Sequence, residues 1–97
     1  MKSSQFEKLV RKGNYRQVGM FPVIGGQAYL AEKIVHTPQG VHFETLWAAG
    51  SNADNLEIAQ KITFNYQSTK HMREKHALQL ATEHIALRDY SGDPGRG

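Results

Sequence analysis

Two hydrophobic periods, one helical and one of strand type, divide this chain into its elements. Near the start, apolar residues recur three and four positions apart at Phe6, Leu9 and Val10. Ser4 and Glu7 have the spacing of a capping box, and Gly13 supplies a left-handed stop. The pattern predicts a short first helix over about residues 5–12.

A strand-like run from Tyr15 to Phe21 comes next. Pro22 removes a backbone donor, and Gly25 and Gly26 interrupt regular structure. We therefore expect this strand to end in a flexible loop.

The next segment predicts a β-hairpin, with strands from about Ala28 to His36 and from Val41 to about Ala48. Pro38 and Gly40 occupy the positions that favour a type I turn followed by a bulge. In the second strand two sets of side chains alternate, one set being Val41, Phe43, Thr45 and Trp47 and the other His42, Glu44 and Leu46.

Residues 56–66 also alternate and predict a further strand. The apolar residues at alternating positions of this strand are Leu56, Ile58, Ile62, Phe64 and Tyr66. Asp54 offers an alternative, because it could cap a short helix through Ile62.

The last segment predicts a long helix over about residues 69–88, with Ser68 as its N-cap. Ala77 and Ala81 lie at the centre of its apolar face, so the helix can approach a sheet closely. The expected fold is α+β, with an antiparallel sheet of three to four strands and with a short N-terminal and a long C-terminal helix packed on one face. We expect residues 1–90 to form a single domain and residues 91–97 to form a flexible tail.

The amino-acid composition excludes several classes of function. The chain of 97 residues has no cysteine, so disulfides, thiol catalysis and Cys-ligated metal sites are excluded. It shows no signal peptide and no apolar run long enough to span a membrane, and we expect a soluble, cytoplasmic protein without a membrane partner.

The net charge of +3 is unevenly distributed along the chain. Residues 1–16 hold five cations against one carboxylate, whereas residues 17–67 are slightly acidic. If the two ends of the chain meet, they form a basic patch suited to nucleic-acid phosphates or to an acidic protein. A solvated surface without an electrostatic partner would also fit this charge.

The start of the last helix carries the wrong charge for its dipole, because Lys70, Arg73 and Lys75 lie near its positive end. An anion bound to the free backbone N–H groups would relieve this mismatch, although a solvated helix start would tolerate it. The candidate anion-binding or nucleic-acid-binding residues are Lys8, Arg11, Lys12, Arg16, Lys70, Arg73 and Lys75.

Catalysis by side chains is not expected. His71, His76 and His84 lack the spacing that brings two rings to one metal ion. His36 and His42 flank the hairpin turn and could approach each other, without a carboxylate to complete a site. No nucleophile elbow, Walker loop or dinucleotide fingerprint is present, and no metal or cofactor is expected.

Two family resemblances bear on function. The order helix, strands, helix, with a basic start and central alanines in the last helix, resembles a double-stranded-RNA-binding domain. This resemblance implies that Lys70, Arg73 and Lys75 contact phosphates while Ala77 and Ala81 face the sheet.

Three segments resemble the catalytic domain of peptide-chain release factors. They are the GlyGlyGln at Gly25–Gln27, the HisThrProGlnGly that starts at His36 and the final helix from Ser68. This resemblance implies a mobile loop that reaches the peptidyl transferase centre, where the backbone of Gln27 would position the water that hydrolyses peptidyl-tRNA.

The sequence as a whole predicts a small non-enzymatic binding module that contacts nucleic acid or a nucleoprotein through a basic patch. One alternative is a protein-binding inhibitor or adaptor that acts through a sheet face or edge, with Phe43, Trp47 and Tyr66 as anchors. A release-factor-like hydrolase is the other alternative.

Overall fold

The computed structural model describes residues 1–91, with side chains described as far as Arg88. The elements are α1 (Ser3–Lys12), β1 (Arg16–Val23), β2 (Gly26–Thr37), β3 (Gly40–Gly50), β4 (Leu56–Asn65) and α2 (Lys70–Ser91). The four strands form one antiparallel sheet in chain order. The α+β fold class is confirmed. Residues 56–65 form a strand and not a helix, and the predicted tail beyond Ser91 lies outside the described residues.

The two helices lie on opposite faces of the sheet. Leu30 and Trp47 pack in one cluster with α2, whereas the neighbouring residues Ala31 and Leu46 pack in a second cluster with Phe6 of α1. The expectation that both helices share one side is therefore wrong. The physical reason is that β2 and β3 carry apolar side chains on both faces in the middle of the sheet. Each face must therefore be covered by a helix.

The α2 face of the sheet holds the larger core. Ala77 and Ala81 are fully buried, which confirms that small residues lie at the centre of the helix face. Their size lets the helix lie close to Leu30 and Trp47, both of which are buried. Burial of each large apolar side chain contributes about 1.5–3 kcal/mol.

A β-bulge in β4 reverses the face on which its side chains lie. Leu56 pairs with Gly50, but Ile62 pairs with Thr45, so β4 has one residue more than β3 between these pairs. Ile58 lies in this irregular segment with a φ of 53°. Leu56 accordingly packs on the α1 side and Ile62 on the α2 side, although the sequence gives them the same parity.

The helix ends differ in detail from the prediction. α1 begins at Ser3, and the Lys2 N–H donates to Gln5 Oε1 at 2.7 Å. Asn14, with a φ of 59°, supplies the left-handed residue instead of Gly13. In α2 the hydroxyl of Thr69 accepts from the Met72 N–H at 3.1 Å, so Thr69 and not Ser68 caps the helix.

The expected flexible loop between β1 and β2 is a tight turn. Val23 pairs directly with Gly26, so only two residues connect the strands. A Cβ atom on Gly26 would lie 2.0 Å from the carbonyl oxygen of Gly50, and one on Gly50 would lie 1.9 Å from that of Asn55. Both positions therefore require glycine because neighbouring backbone occupies the space of a side chain.

Candidate binding surfaces

The seven cations predicted to bind an anion do not form a single patch. Three of them, Lys8, Arg11 and Lys12, lie on the face of α1 that points away from the sheet. Three more, Lys70, Arg73 and Lys75, lie near the start of α2 on the opposite face. Arg16, at the start of β1, meets the α2 group through one shared carboxylate, that of Glu32.

Arg73 is a structural residue in this fold. Arg73 is 5% exposed, and its Nε donates to Glu32 Oε2 at 3.1 Å. Nη1 donates to the Ser68 carbonyl at 2.6 Å, and the guanidinium lies 3.7 Å from the centroid of the Phe43 ring. These contacts leave the Arg73 side chain unable to serve as an exposed phosphate ligand.

Glu32 is the residue that sequence reasoning missed. It is 4% exposed, and its Oε1 also accepts from Arg16 Nη2 at 3.1 Å. A buried carboxylate is costly without cations, and two arginines provide them. The sequence did contain a signal for this residue. Glu32 alternates with Ala28 and Leu30, which are buried, so its side chain lies on the same face of β2 and its charge needs a partner.

The remaining exposed charge on α2 is balanced. Lys70 and Lys75 are exposed, but Glu74 and Glu83 lie on the same helix and are also accessible. Arg88, which is also exposed on α2, is paired with Glu57 of β4. The other accessible charges of α2 up to Arg88 are therefore two cations and two carboxylates, so their local field is weak.

The α1 side has an excess of positive charge. We use the name α1 basic surface for Lys8, Arg11 and Lys12, which are all exposed. Among side chains up to Arg88, no carboxylate lies within ion-pair distance of these three cations. Lys33 and Lys61 lie on the same side of the sheet, together with the carboxylates of Glu7 and Glu44.

Tyr15 connects α1 to this side of the sheet. Its hydroxyl donates to Glu44 Oε2 at 2.9 Å, and Lys33 Nζ lies 4.5 Å from its ring centroid. Lys33 Nζ also donates to the Gly13 carbonyl at 2.8 Å, beside the end of α1. Burial, followed by the hydrogen bond to Glu44 and the charge of that carboxylate, raises the pKa of Tyr15 to about 12.

The three aromatic residues predicted as protein-binding anchors have different environments. Trp47 is 2% exposed beneath α2, so its ring is part of the core. Phe43 is half-buried, and its ring stacks on that of Tyr66 with centroids 5.6 Å apart. Tyr66 is 56% exposed and is the most accessible of the three.

The GlyGlyGln tripeptide is part of the β1–β2 hairpin. Gly26 and Gln27 pair with Val23 and Pro22 of β1, and Gln27 also pairs with Gly50 of β3. The Oε1 atom of Gln27 accepts a hydrogen bond from the Tyr29 hydroxyl at 3.4 Å. Gly25 lies in the two-residue turn and Gly26 and Gln27 lie in paired strands, so the tripeptide is part of a tight hairpin, whereas the resemblance to release factors implied a mobile loop.

The histidines are also separated. His36 pairs with Val41 and His42 with Val35, so the two rings lie on opposite faces of the sheet. Within the described part of the chain, no three His, Asp or Glu side chains lie close enough to hold a metal ion.

No family model matches this chain, and no curated protein and no solved structure matches it. Among the described residues, no helix is long and apolar enough to cross a membrane.

Proposed function

We propose that this protein is a small binding module that contacts the phosphates of a nucleic acid through the α1 basic surface. The observation that carries the proposal is the outward position of Lys8, Arg11 and Lys12 without a carboxylate partner among the described side chains. Exposed cations on one helix face can neutralise successive phosphates and release their counterions.

The difference between the two helices strengthens this assignment. On the outer surface of α2, glutamates accompany the lysines, whereas on α1 three cations accompany Glu7 alone. A polyanion is attracted to the side with excess positive charge, so α1 and not α2 is the favoured contact. The proposal therefore omits Arg73 and gives Lys70 and Lys75 no required role.

Two matched double variants test the proposal. Lys8 and Lys12 are replaced by Ala in one variant, and Lys70 and Lys75 in the other, so that each loses two exposed cations. Binding of a 20-base-pair RNA duplex and of the corresponding DNA duplex is measured by fluorescence anisotropy at two salt concentrations. The expected result is a loss of affinity and a salt slope smaller by about two units for the α1 variant only.

Two outcomes would contradict the proposal. One is the absence of duplex binding by the parent protein at low salt. The other is an equal loss in both double variants, which would show that only the total charge matters. Thermal unfolding of both variants serves as the control, because neither pair of lysines belongs to the core.

A further inference from the structure

The outer edge of β2 has no hydrogen-bonded neighbouring strand among the described residues over its last five positions. β1 begins at Arg16, which pairs with Glu32, and β2 continues through residues 33–37 with β3 on one side only. Among the described residues, no backbone group bonds to the other side of this segment. We use the name β2 edge for residues 33–37.

Residues 34–37 of the β2 edge lack the features that protect the other two edges of the sheet. β1 carries Pro22 and a register shift, and β4 carries the bulge near Ile58 and the exposed Lys61. Such features prevent pairing with another strand. Residues 34–37 are instead Ile, Val, His and Thr, three of which are β-branched and favour an extended strand.

A cavity of about 310 Å³ lies beside this edge. Its lining includes the apolar Ile34 and Phe43, the basic Arg16 and Lys33, and Glu32, whose carboxylate pairs with Arg16. Ile34 is 51% exposed, so an apolar surface is available at the place where an added strand would lie.

We propose that the β2 edge binds an extended acidic segment of a partner protein, which adds to the sheet as a further antiparallel strand. Side chains opposite Ile34 would lie on the α2 side, against Ile34 and Phe43. Side chains opposite Lys33 would lie on the α1 side, where a carboxylate meets Lys33 Nζ. The segment that fits therefore alternates apolar and acidic residues.

Charge selects this occupant over a second copy of the chain. Self-pairing along residues 33–37 would bring two copies of Arg16 and Lys33 together, while the nearby carboxylates already have partners within each copy, Glu32 with two arginines and Glu44 with Tyr15. An acidic strand supplies the missing negative charge. The inference does not depend on nucleic-acid binding, since it concerns the strand edge and not the α1 basic surface.

The probe is the end-blocked peptide Thr-Glu-Val-Glu-Val-Glu-Thr, titrated into the full chain by isothermal calorimetry. Strand addition uses the N–H groups of alternate peptide residues only. Two further peptides therefore carry N-methyl groups on the odd-numbered or on the even-numbered residues. We expect one of them to lose binding and the other to keep it. Equal behaviour of the two methylated peptides, or no saturation by about 1 mM parent peptide, would overturn the proposal.

A matched pair of protein variants locates the contact. Ile34 and Ile58 have similar exposure, 51% and 49%, and lie on different edge segments. Ile34→Asp should weaken peptide binding at least about tenfold, whereas Ile58→Asp should change it less than about twofold. Equal losses in the two variants, or losses in the reverse order, would overturn the proposal.

Hydrogen exchange and light scattering complete the test. Peptide binding should slow amide exchange within residues 33–37 and leave β4 unchanged. Protection confined to β1 or β4 would refute strand addition at this edge. If light scattering detects a dimer that dissociates when the peptide is added, the result would support an edge that is accessible to strands. A dimer that the peptide leaves intact would assign the edge to a second copy of the chain and overturn the proposal.

Discussion

The two faces of the sheet carry cations in comparable number but use them differently. On the α2 face, the buried Arg73 and the exposed Arg16 both pair with the buried Glu32, so each of these cations has a carboxylate partner within the protein. On the α1 face, the cations of the α1 basic surface point outward without a carboxylate partner among the described side chains. Residues of the same type thus hold the fold together on one side and remain available to a ligand on the other.

The largest effect is expected from the small core beneath α1. Phe6 is fully buried, and its ring centroid lies 6.1 Å from that of Tyr29. Phe6→Ala should lower the free energy of unfolding by about 3–5 kcal/mol, measured by urea denaturation, because it leaves a cavity between α1 and the sheet. Leu9→Ala, at a position 40% exposed, is the control and should cost less than about 1 kcal/mol. A Phe6→Ala variant as stable as the control would show that α1 is not docked.

The buried ion pair on the α2 face should give the next largest effect. Arg73→Met leaves Glu32 with Arg16 as its remaining cation, and it should cost about 3 kcal/mol in unfolding free energy. A second change, Glu32→Leu, should recover much of that loss because no buried charge then lacks a partner. A double-mutant cycle by urea denaturation measures the coupling, and additive losses would contradict the assignment.

The α1 face should show its own pH dependence through Tyr15. Its pKa of about 12 in the folded state lies above the ordinary tyrosine pKa of 10.0, so the folded protein holds the phenol proton more tightly than the unfolded chain. This contribution is complete below pH 10 and is lost as the pH rises toward 12. Tyr15→Phe should flatten this part of the stability profile, measured by thermal unfolding. An identical alkaline slope in the variant would refute the prediction.

The smallest effects should have opposite signs in the two helices. Lys70 lies in the first turn of α2, near the positive end of its dipole, whereas Lys12 lies in the last turn of α1, near the negative end. Lys70→Ala should raise the unfolding free energy, and Lys12→Ala should lower it, each by about 0.3 kcal/mol. Chemical denaturation at low salt resolves the difference, and changes of the same sign would contradict the dipole argument.

Much of this fold follows from local sequence patterns. The hairpin between β2 and β3 was predictable because alternation and the Pro38–Gly40 turn agree on one register. The faces assigned to the helices were not, because apolar residues of both parities in β2 and β3 leave the choice to long-range packing. The bulge near Ile58 was also not predictable. The sequence of β4 keeps its alternation of apolar and polar residues through the bulge, but the extra residue moves the later apolar side chains to the other face of the sheet.

The candidate site was predictable only as a list of cations. Lys8, Arg11 and Lys12 lie together because one helix carries them, which the helical period indicates. The pairing of Arg73 with Glu32 joins residues 41 positions apart, and only the register of the complete sheet brings them together. Charge counted along the chain could not separate the cations that form internal ion pairs from those that remain exposed.

The close backbone contacts at Gly26 and Gly50 have a consequence for protein engineering. A library built on this scaffold should keep both glycines fixed, because even a methyl group there would displace a neighbouring carbonyl. Gly40, in the turn at the far end of the β2–β3 hairpin, should also stay glycine because its φ is 138°, but no atom lies within 4 Å of the position of an added Cβ. Diversity introduced beside that turn would meet open space, so the hairpin tip is the place where new specificity can be selected without rebuilding the sheet.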